Sequence, residues 1–392
     1  MPKKKIIILG STGSIGESTI NVILKNKKDF EFILLAASKN YKSIISQIKE
    51  LQPKYFVISN KKIYEKIKKK IKSKKTKIVN NFDVLKKISL VDFTISAIPG
   101  IEGLEPTINS VKKSKKLLIA NKESIIYGWH LLKKDSKKYG TKVSSIDSEH
   151  FSIGTILNNF KDKTDIDKIY LTASGGPFLN YKKNELKKIS PSDAIKHPRW
   201  KMGKKISVDS ATLMNKILEI IEAQKIFSIS FNKLKILIHP ESLVHAIVKF
   251  NNGLTFFLYH EPDMKIPIAN SIYGSSIKIN KVVSKNIKNT KIKNLEFFEP
   301  KISKYKILET LNFIKKYPSA GILINSANEE LVNMFLRGKI QYNSIISSIL
   351  NLIKDKKFKK YAIHPANYLN QIYFLNDWTR NYIKSKFKKI LK

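Results

Sequence analysis

The chain contains no cysteine. Disulfides, thiolate metal sites and a cysteine nucleophile are therefore excluded, so any metal must be held by oxygen or imidazole. Arginine is nearly as scarce. Of 74 basic residues only Arg199, Arg337 and Arg380 are arginine, although base-edge reading and bidentate phosphate clamps favour that side chain. The net charge of +43 thus comes from lysines scattered through every segment, and it argues for compositional drift rather than a nucleic-acid-binding patch. No run approaches the roughly 18 apolar residues needed to span a bilayer. The apolar stretch after Lys3-Lys4-Lys5 ends at Gly10, too early for a signal sequence. The expectations are a cytoplasmic protein with no nucleic-acid partner and no membrane association.

At 392 residues with 42% hydrophobic content, the chain is long enough for two or three packed domains. Residues 1–147 alternate short apolar strands with amphipathic stretches, the pattern of an α/β, doubly wound (Rossmann-like) parallel sheet. The strands are expected at Lys5–Leu9, Phe32–Ala37, Tyr55–Ile58, Phe93–Ala97, Leu117–Ala120 and Lys142–Ile146. Residues 148–280 cluster four strand-like runs with a helix near Ala211–Phe227, which predicts an α+β domain with a largely antiparallel sheet. Residues 281–302 read as a Lys- and Asn-rich linker. Helical periodicity from 303 to 392 predicts a C-terminal helical bundle.

The first strand runs into Gly10-Ser11-Thr12-Gly13-Ser14-Ile15-Gly16. A strand, a glycine-rich turn and a helix N-terminus point backbone N–H groups and a positive dipole end at a phosphate. The second strand ends in Ser38-Lys39-Asn40, where NAD sites place a carboxylate on the ribose 2′-hydroxyl. The missing acid favours NADPH. Gly100 and Asn121-Lys122-Glu123 follow later strands at the same sheet edge; a capped helix start is the alternative for the triplet.

Asp147-Ser148-Glu149 follows the last strand of this domain. In extended chain, residues two apart point the same way, and two convergent carboxylates suit Mg²⁺ or Mn²⁺. Lysine-neutralised surface acids are the alternative. Ser210 reads as lying near the N-cap of a helix on which Asn215, Lys216 and Glu219 share a face. That arrangement is either an ion pair or an anion site beside a third carboxylate. Ser174-Gly175-Gly176 allows close backbone approach to an oxyanion, with a plain glycine turn as the alternative. His197-Pro198-Arg199-Trp200-Lys201-Met202-Gly203 puts large apolar groups in a loop near 195–204, as lids do; a packed surface loop is the alternative.

Together these segments resemble the 1-deoxy-D-xylulose 5-phosphate reductoisomerases, along with His239-Pro240-Glu241-Ser242, Glu261-Pro262-Asp263-Met264 and Asn325-Ser326-Ala327-Asn328-Glu329. The resemblance covers essentially the whole chain. It implies NADPH-dependent rearrangement and reduction of a small phosphorylated sugar, with Mg²⁺ or Mn²⁺ (Co²⁺ as a further choice), in a homodimer. Asp147, Glu149 and Glu219 would bind the metal. Ser174, Ser210, Asn215 and Lys216 would hold the phosphate, with His197 close by. Lys122 and Ser148 would touch the sugar oxygens, and Trp200 and Met202 would belong to the lid. The glycine loop, Lys39, Asn40, Gly100, Asn121, Glu123 and Gly203 would serve NADPH, and Lys122, Glu149 and His197 would be the catalytic set. Arg199, Ile217, Glu241 and Leu179 depart from the family pattern. An ordinary semialdehyde dehydrogenase, the rival enzyme class, lacks its nucleophile in a cysteine-free chain.

Overall fold

The computed structural model describes residues 2–160, 165–182, 184–200, 202–274, 279 and 294–388. Most of the expected linker, 281–293, lies outside them. The chain divides into two compact units. One comprises Met1–Phe151 and Asp263–Lys291, the other Ser152–Pro262 and Ile292–Lys392.

The first unit is built on a seven-stranded, wholly parallel sheet in the order β4-β3-β2-β1-β5-β6-β7. Its strands are β1 Lys4–Leu9, β2 Phe30–Ala37, β3 Tyr55–Ile58, β4 Lys77–Val79, β5 Val91–Ser96, β6 Ser114–Ile119 and β7 Lys142–Ser145. Helices α1 Ser14–Leu24, α2 Tyr41–Leu51, α3 Lys61–Lys70, α4 Leu104–Val111 and α5 Lys122–Tyr139 connect them. Strand β1 is apolar at every position from Ile6 to Leu9 because both its faces are covered. Ile6 and Ile8 enter one core cluster, Ile7 and Leu9 the other, the two-residue alternation of a strand. The topology reverses beside β1, which puts the ligand crevice of such a sheet at the carboxyl ends of β1 and β5. Strand β4 was not expected. It is three residues long and half-exposed, too brief for an alternating pattern to register.

Helix α6, Ser148–Leu157, follows β7, and the division between units falls within it. The second unit holds a four-stranded mixed sheet in the order β11-β10-β8-β9, from β8 Ile166–Ala173, β9 Leu234–Ile238, β10 Val244–Phe250 and β11 Thr255–Tyr259. Strand β10 runs antiparallel to β8 and β11, whereas β8 and β9 are parallel. Helices α7 Pro191–Ala194, α8 Lys204–Ala211 and α9 Met214–Phe227 lie between β8 and β9 in the chain.

Helix α10, Lys265–Tyr273, belongs to the first unit: its Ile268, Ala269 and Ile272 pack into the core cluster that holds Ile20 and Ile23 of α1. The C-terminal helices α11 Thr310–Lys316, α12 Ala320–Leu336, α13 Tyr342–Lys354, α14 Lys356–Ala362 and α15 Leu369–Lys386 fold into the second unit. Helix α12 is their centre, buried from Ala320 to Asn328. No helix among the described residues is long and apolar enough to cross a membrane.

Candidate functional site

The glycine loop sits where the topology requires it. Gly10 has φ +88°, and a Cβ on Gly16 would lie 2.2 Å from the Gly10 carbonyl oxygen. The loop and the start of α1 can pack this closely only without side chains, which leaves backbone N–H groups facing outward at the helix N-terminus. Ser11 is fully buried: its Oγ donates to Gln47 Oε1 at 2.7 Å, and Gln47 Nε2 donates back to the Ser11 carbonyl at 3.0 Å. No local pattern in the sequence marks Gln47 as a partner, 36 residues away. Lys39 is exposed, and Asn40 caps α2 by accepting from the Ser43 N–H at 3.2 Å.

Asn121 is a helix cap and a scaffold. Its Oδ1 caps α5 at the Ser124 N–H (2.7 Å), and its Nδ2 donates to the carbonyls of Ile98 (2.7 Å) and Gly100 (3.0 Å) and to Glu123 Oε2 (2.9 Å). One residue on, Lys122 Nζ lies 2.7 Å from Asp147 Oδ2. Burial opposes charge on Asp147, but the Lys122 ammonium and His150 outweigh it and hold the carboxyl well below the usual carboxylate range. Asp147 is therefore an anion ready for a cation.

The expected route to convergence was wrong. Glu149 lies not in extended chain but in the first turn of α6, where its backbone N–H faces Asp147 Oδ1 at 3.4 Å. Ser148 Oγ donates to Glu149 Oε2. A carboxylate before a helix and another in its first turn both sit at the positive dipole end.

In the second unit the structure brings Ser174, His197 and Ser210 together. His197 Nδ1 accepts the backbone N–H groups of Arg199 (3.2 Å) and Trp200 (2.9 Å), so the ring proton is on Nε2. That Nε2 lies 3.0 Å from Ser174 Oγ and 3.1 Å from Ser210 Oγ. Ser174 Oγ also accepts the Gly176 N–H at 3.1 Å. The protonated Nε2 has one N–H to share between the two hydroxyls and cannot accept from either, so both hydroxyl protons remain available to an oxyanion. Gly175 and Gly176 both adopt the left-handed conformation, φ +81° and +72°. Trp200 meets His245 edge to face at 5.8 Å.

Burial pushes the His197 pKa down to about 4, and a proton on Nδ1 would also confront two N–H groups. Because the unfolded imidazole titrates near 6.5, the unfolded chain holds the extra proton between those values. Stability from this group is therefore complete above about pH 6.5 and is lost as pH falls to about 4. His197→Asn should show a shallower decline of Tm between pH 7.5 and 4.5 than wild type. Parallel declines would remove His197 from the account.

Ser210 is not a helix N-cap, as the sequence suggested. It closes α8, and α9 begins after Leu213, a buried residue at φ +65°. The helix restarts with Met214-Asn215-Lys216. Asn215 Nδ2 donates to Glu219 Oε1 at 2.5 Å, and Lys216 Nζ pairs with Glu219 Oε2, both side chains almost completely buried. Of the departing residues, Arg199 Nε reaches the Pro240 carbonyl at 3.3 Å and Glu241 pairs with His239 Nδ1 at 2.9 Å. Ile217 is fully buried in α9, and the Leu179 side chain lies against Gly175.

A family model described as 1-deoxy-D-xylulose 5-phosphate reductoisomerase matches residues 6–128, and two C-terminal domain models of that enzyme match 143–227 and 260–382. The 1-deoxy-D-xylulose 5-phosphate reductoisomerase of Pelagibacter ubique is 44% identical over 97% of this chain and 99% of its own length. That of Wolbachia pipientis is 40% identical over 92% of both. A crystal structure of DOX-P reductoisomerase with NADPH, fosmidomycin and magnesium superposes with TM-score 0.91 at 30% identity, covering 99% of each chain. The Zymomonas mobilis enzyme with NADPH gives 0.86 at 28%, again over 99% of each.

Proposed function

Because the chain belongs to the 1-deoxy-D-xylulose 5-phosphate reductoisomerase family, we propose that Asp147, Glu149 and Glu219 hold its divalent ion and that Ser174, Ser210, Asn215 and Lys216 hold the substrate phosphate. The reaction is the NADPH- and metal-dependent conversion of 1-deoxy-D-xylulose 5-phosphate to 2-C-methyl-D-erythritol 4-phosphate. The single observation that carries the substrate reading is the Ser174–His197–Ser210 arrangement, in which one imidazole nitrogen that cannot accept brings two hydroxyls together and leaves their protons for an oxyanion. Incubation with NADPH, Mg²⁺ and 1-deoxy-D-xylulose 5-phosphate should consume NADPH absorbance; none consumed would overturn the reading.

The residues fit the groups they are assigned. The donor set is all carboxylate, with Asp147 held ionised, which suits Mg²⁺ or Mn²⁺. When bound, the ion supplies a Lewis acid for oxyanion charge. Lys122 and Ser148 orient the sugar oxygens, while Trp200 and Met202 close over the substrate and keep water out. Glu149 and Lys122 stand nearest the reacting oxygens in this reading, with His197 as the group that orients the phosphate.

For NADPH the fit is the cradle at Gly16, which a Cβ would fill. The glycine loop takes the pyrophosphate, Lys39 and Asn40 the 2′-phosphate, and Gly100, Asn121, Glu123 and Gly203 the remainder. NADPH is expected to be clearly preferred to NADH, and Lys39→Glu to weaken NADPH roughly tenfold by setting a carboxylate against the 2′-phosphate. Equal kcat/KM for the two cofactors in the wild type would refute the assignment.

Strand β11 is a sheet edge with Phe256 and Phe257 exposed at 38% and 53%, and Leu254 just before it at 53%. An open apolar edge is a pairing surface, and we assign it to a second copy of this chain. Sedimentation velocity should find a dimer, and Phe257→Lys should shift it toward monomer; a monomeric wild type would rule the dimer out. Cytoplasmic location, which cell fractionation tests, completes the reading.

A further inference from the structure

The residue before Ser210 has no part in the site as described. Asp209 is a carboxylate that is only 2% exposed, an expensive position unless both oxygens are partnered. Lys205 Nζ lies 2.9 Å from Oδ2, one helical turn back. Oδ1 accepts from Asn328 Nδ2 at 2.7 Å, 119 residues along the chain and fully buried on α12. The last turn of α8 is therefore tied to a distant helix.

The same turn has no slack toward the glycine loop. A Cβ on Gly176 would lie 2.8 Å from Ala211 Cα and 2.9 Å from the Ser210 carbonyl oxygen. Helix α12 is itself anchored. Arg380 of α15 pairs with Glu329 at 2.6 Å, and Ser326 Oγ donates to Asn376 Oδ1 at 3.1 Å. Small displacements of α8 would carry Ser210 Oγ out of its 3.1 Å contact with His197.

We propose that Asp209 is a positioning residue for the phosphate end of the substrate, acting through Asn328 to hold Ser210 in register with His197. Asp209 touches neither substrate nor ion in this arrangement; it makes the grip on the phosphate depend on the C-terminal helices. The proposal rests on the reading that Ser210 binds the phosphate.

The test is a double-mutant cycle in the full chain with NADPH and Mg²⁺, with the NADPH Kd from fluorescence as a control for folding. Asn328→Ala is expected to raise KM for 1-deoxy-D-xylulose 5-phosphate roughly tenfold with kcat changed less than about twofold. Added to Ser210→Ala it should cost little more, since the two losses act through one contact. Asn328→Ser, which keeps a donor, should recover most of the KM. If Ser210→Ala raises KM but Asn328→Ala does not, or if the two effects simply add, Asp209 is structural and the proposal fails. If Ser210→Ala itself leaves KM unchanged, the phosphate reading fails beneath it. Should Asn328→Ala not fold, Asp209→Asn is compared with Asp209→Asn/Asn328→Asp, which rebuilds the bond with donor and acceptor exchanged. Recovery of KM in the pair supports the proposal, and no recovery overturns it.

Discussion

Glu149→Gln is expected to lower kcat by at least about a thousandfold while folding and NADPH affinity stay near wild type, because stabilisation of oxyanion charge is lost outright. Asp147→Asn and Glu219→Gln should lose turnover equally, but each also strands a lysine, Lys122 in one case and the almost completely buried Lys216 in the other. Some loss of Tm should accompany those two. Combining any two should add little to the kinetic loss, since ligands of one ion act as a unit. The measurements are NADPH oxidation under limiting metal and Mn²⁺ binding. A variant that turns over at near wild-type rate under those conditions removes its residue from the set.

Lys216→Met should produce the next largest effect, and it should come from two separable sources. The substrate loses the cation assigned to its phosphate, which should raise KM on the order of a hundredfold, since hydrogen bonds to charged groups are worth about 1.5–3 kcal/mol each. Glu219, only 1% exposed in its side chain, is left as a buried charge without its lysine, at a stability cost of about 3–5 kcal/mol. The double variant Lys216→Met/Glu219→Gln tells the sources apart. It should regain most of the lost Tm, because the buried charge is gone, yet remain inactive. If Lys216→Met folds as stably as wild type, the Lys216–Glu219 pair does not have the energetic weight its burial implies.

The first unit is largely legible in the sequence, because its signals are local. A run such as Ile6–Leu9 can only be a strand buried on both faces, and a glycine-rich turn after it can only be a close backbone approach. Strand β4 escaped because Lys77-Ile78-Val79 is too short to show a period. The candidate site was legible in residue identity and misread in conformation. Asp147 and Glu149 were expected to converge by strand alternation, whereas a helix starts between them. Ser210 passed for an N-cap because serine favours that position, and nothing in Thr212-Leu213-Met214 announces that a leucine takes the left-handed conformation that glycine ordinarily supplies. The remaining omissions, Gln47 under Ser11 and Asn328 against Asp209, are contacts between residues 36 and 119 positions apart. Such pairs leave no periodicity in a single sequence.

Leu213 bears on how this site could arise and be altered. On an uninterrupted helix, at about 100° per residue, Lys216 would stand about 240° around the wheel from Ser210 and Asn215 about 140° from it. No single helical face could then present all three. One left-handed residue resets the angular phase, so the Ser210 turn and the Asn215–Glu219 turn are aimed independently. The strain of a leucine at positive φ is of order 1–2 kcal/mol. Insertions or deletions between 211 and 214 would therefore re-aim one half of the phosphate grip against the other, even where they preserve helix content and hydrophobicity.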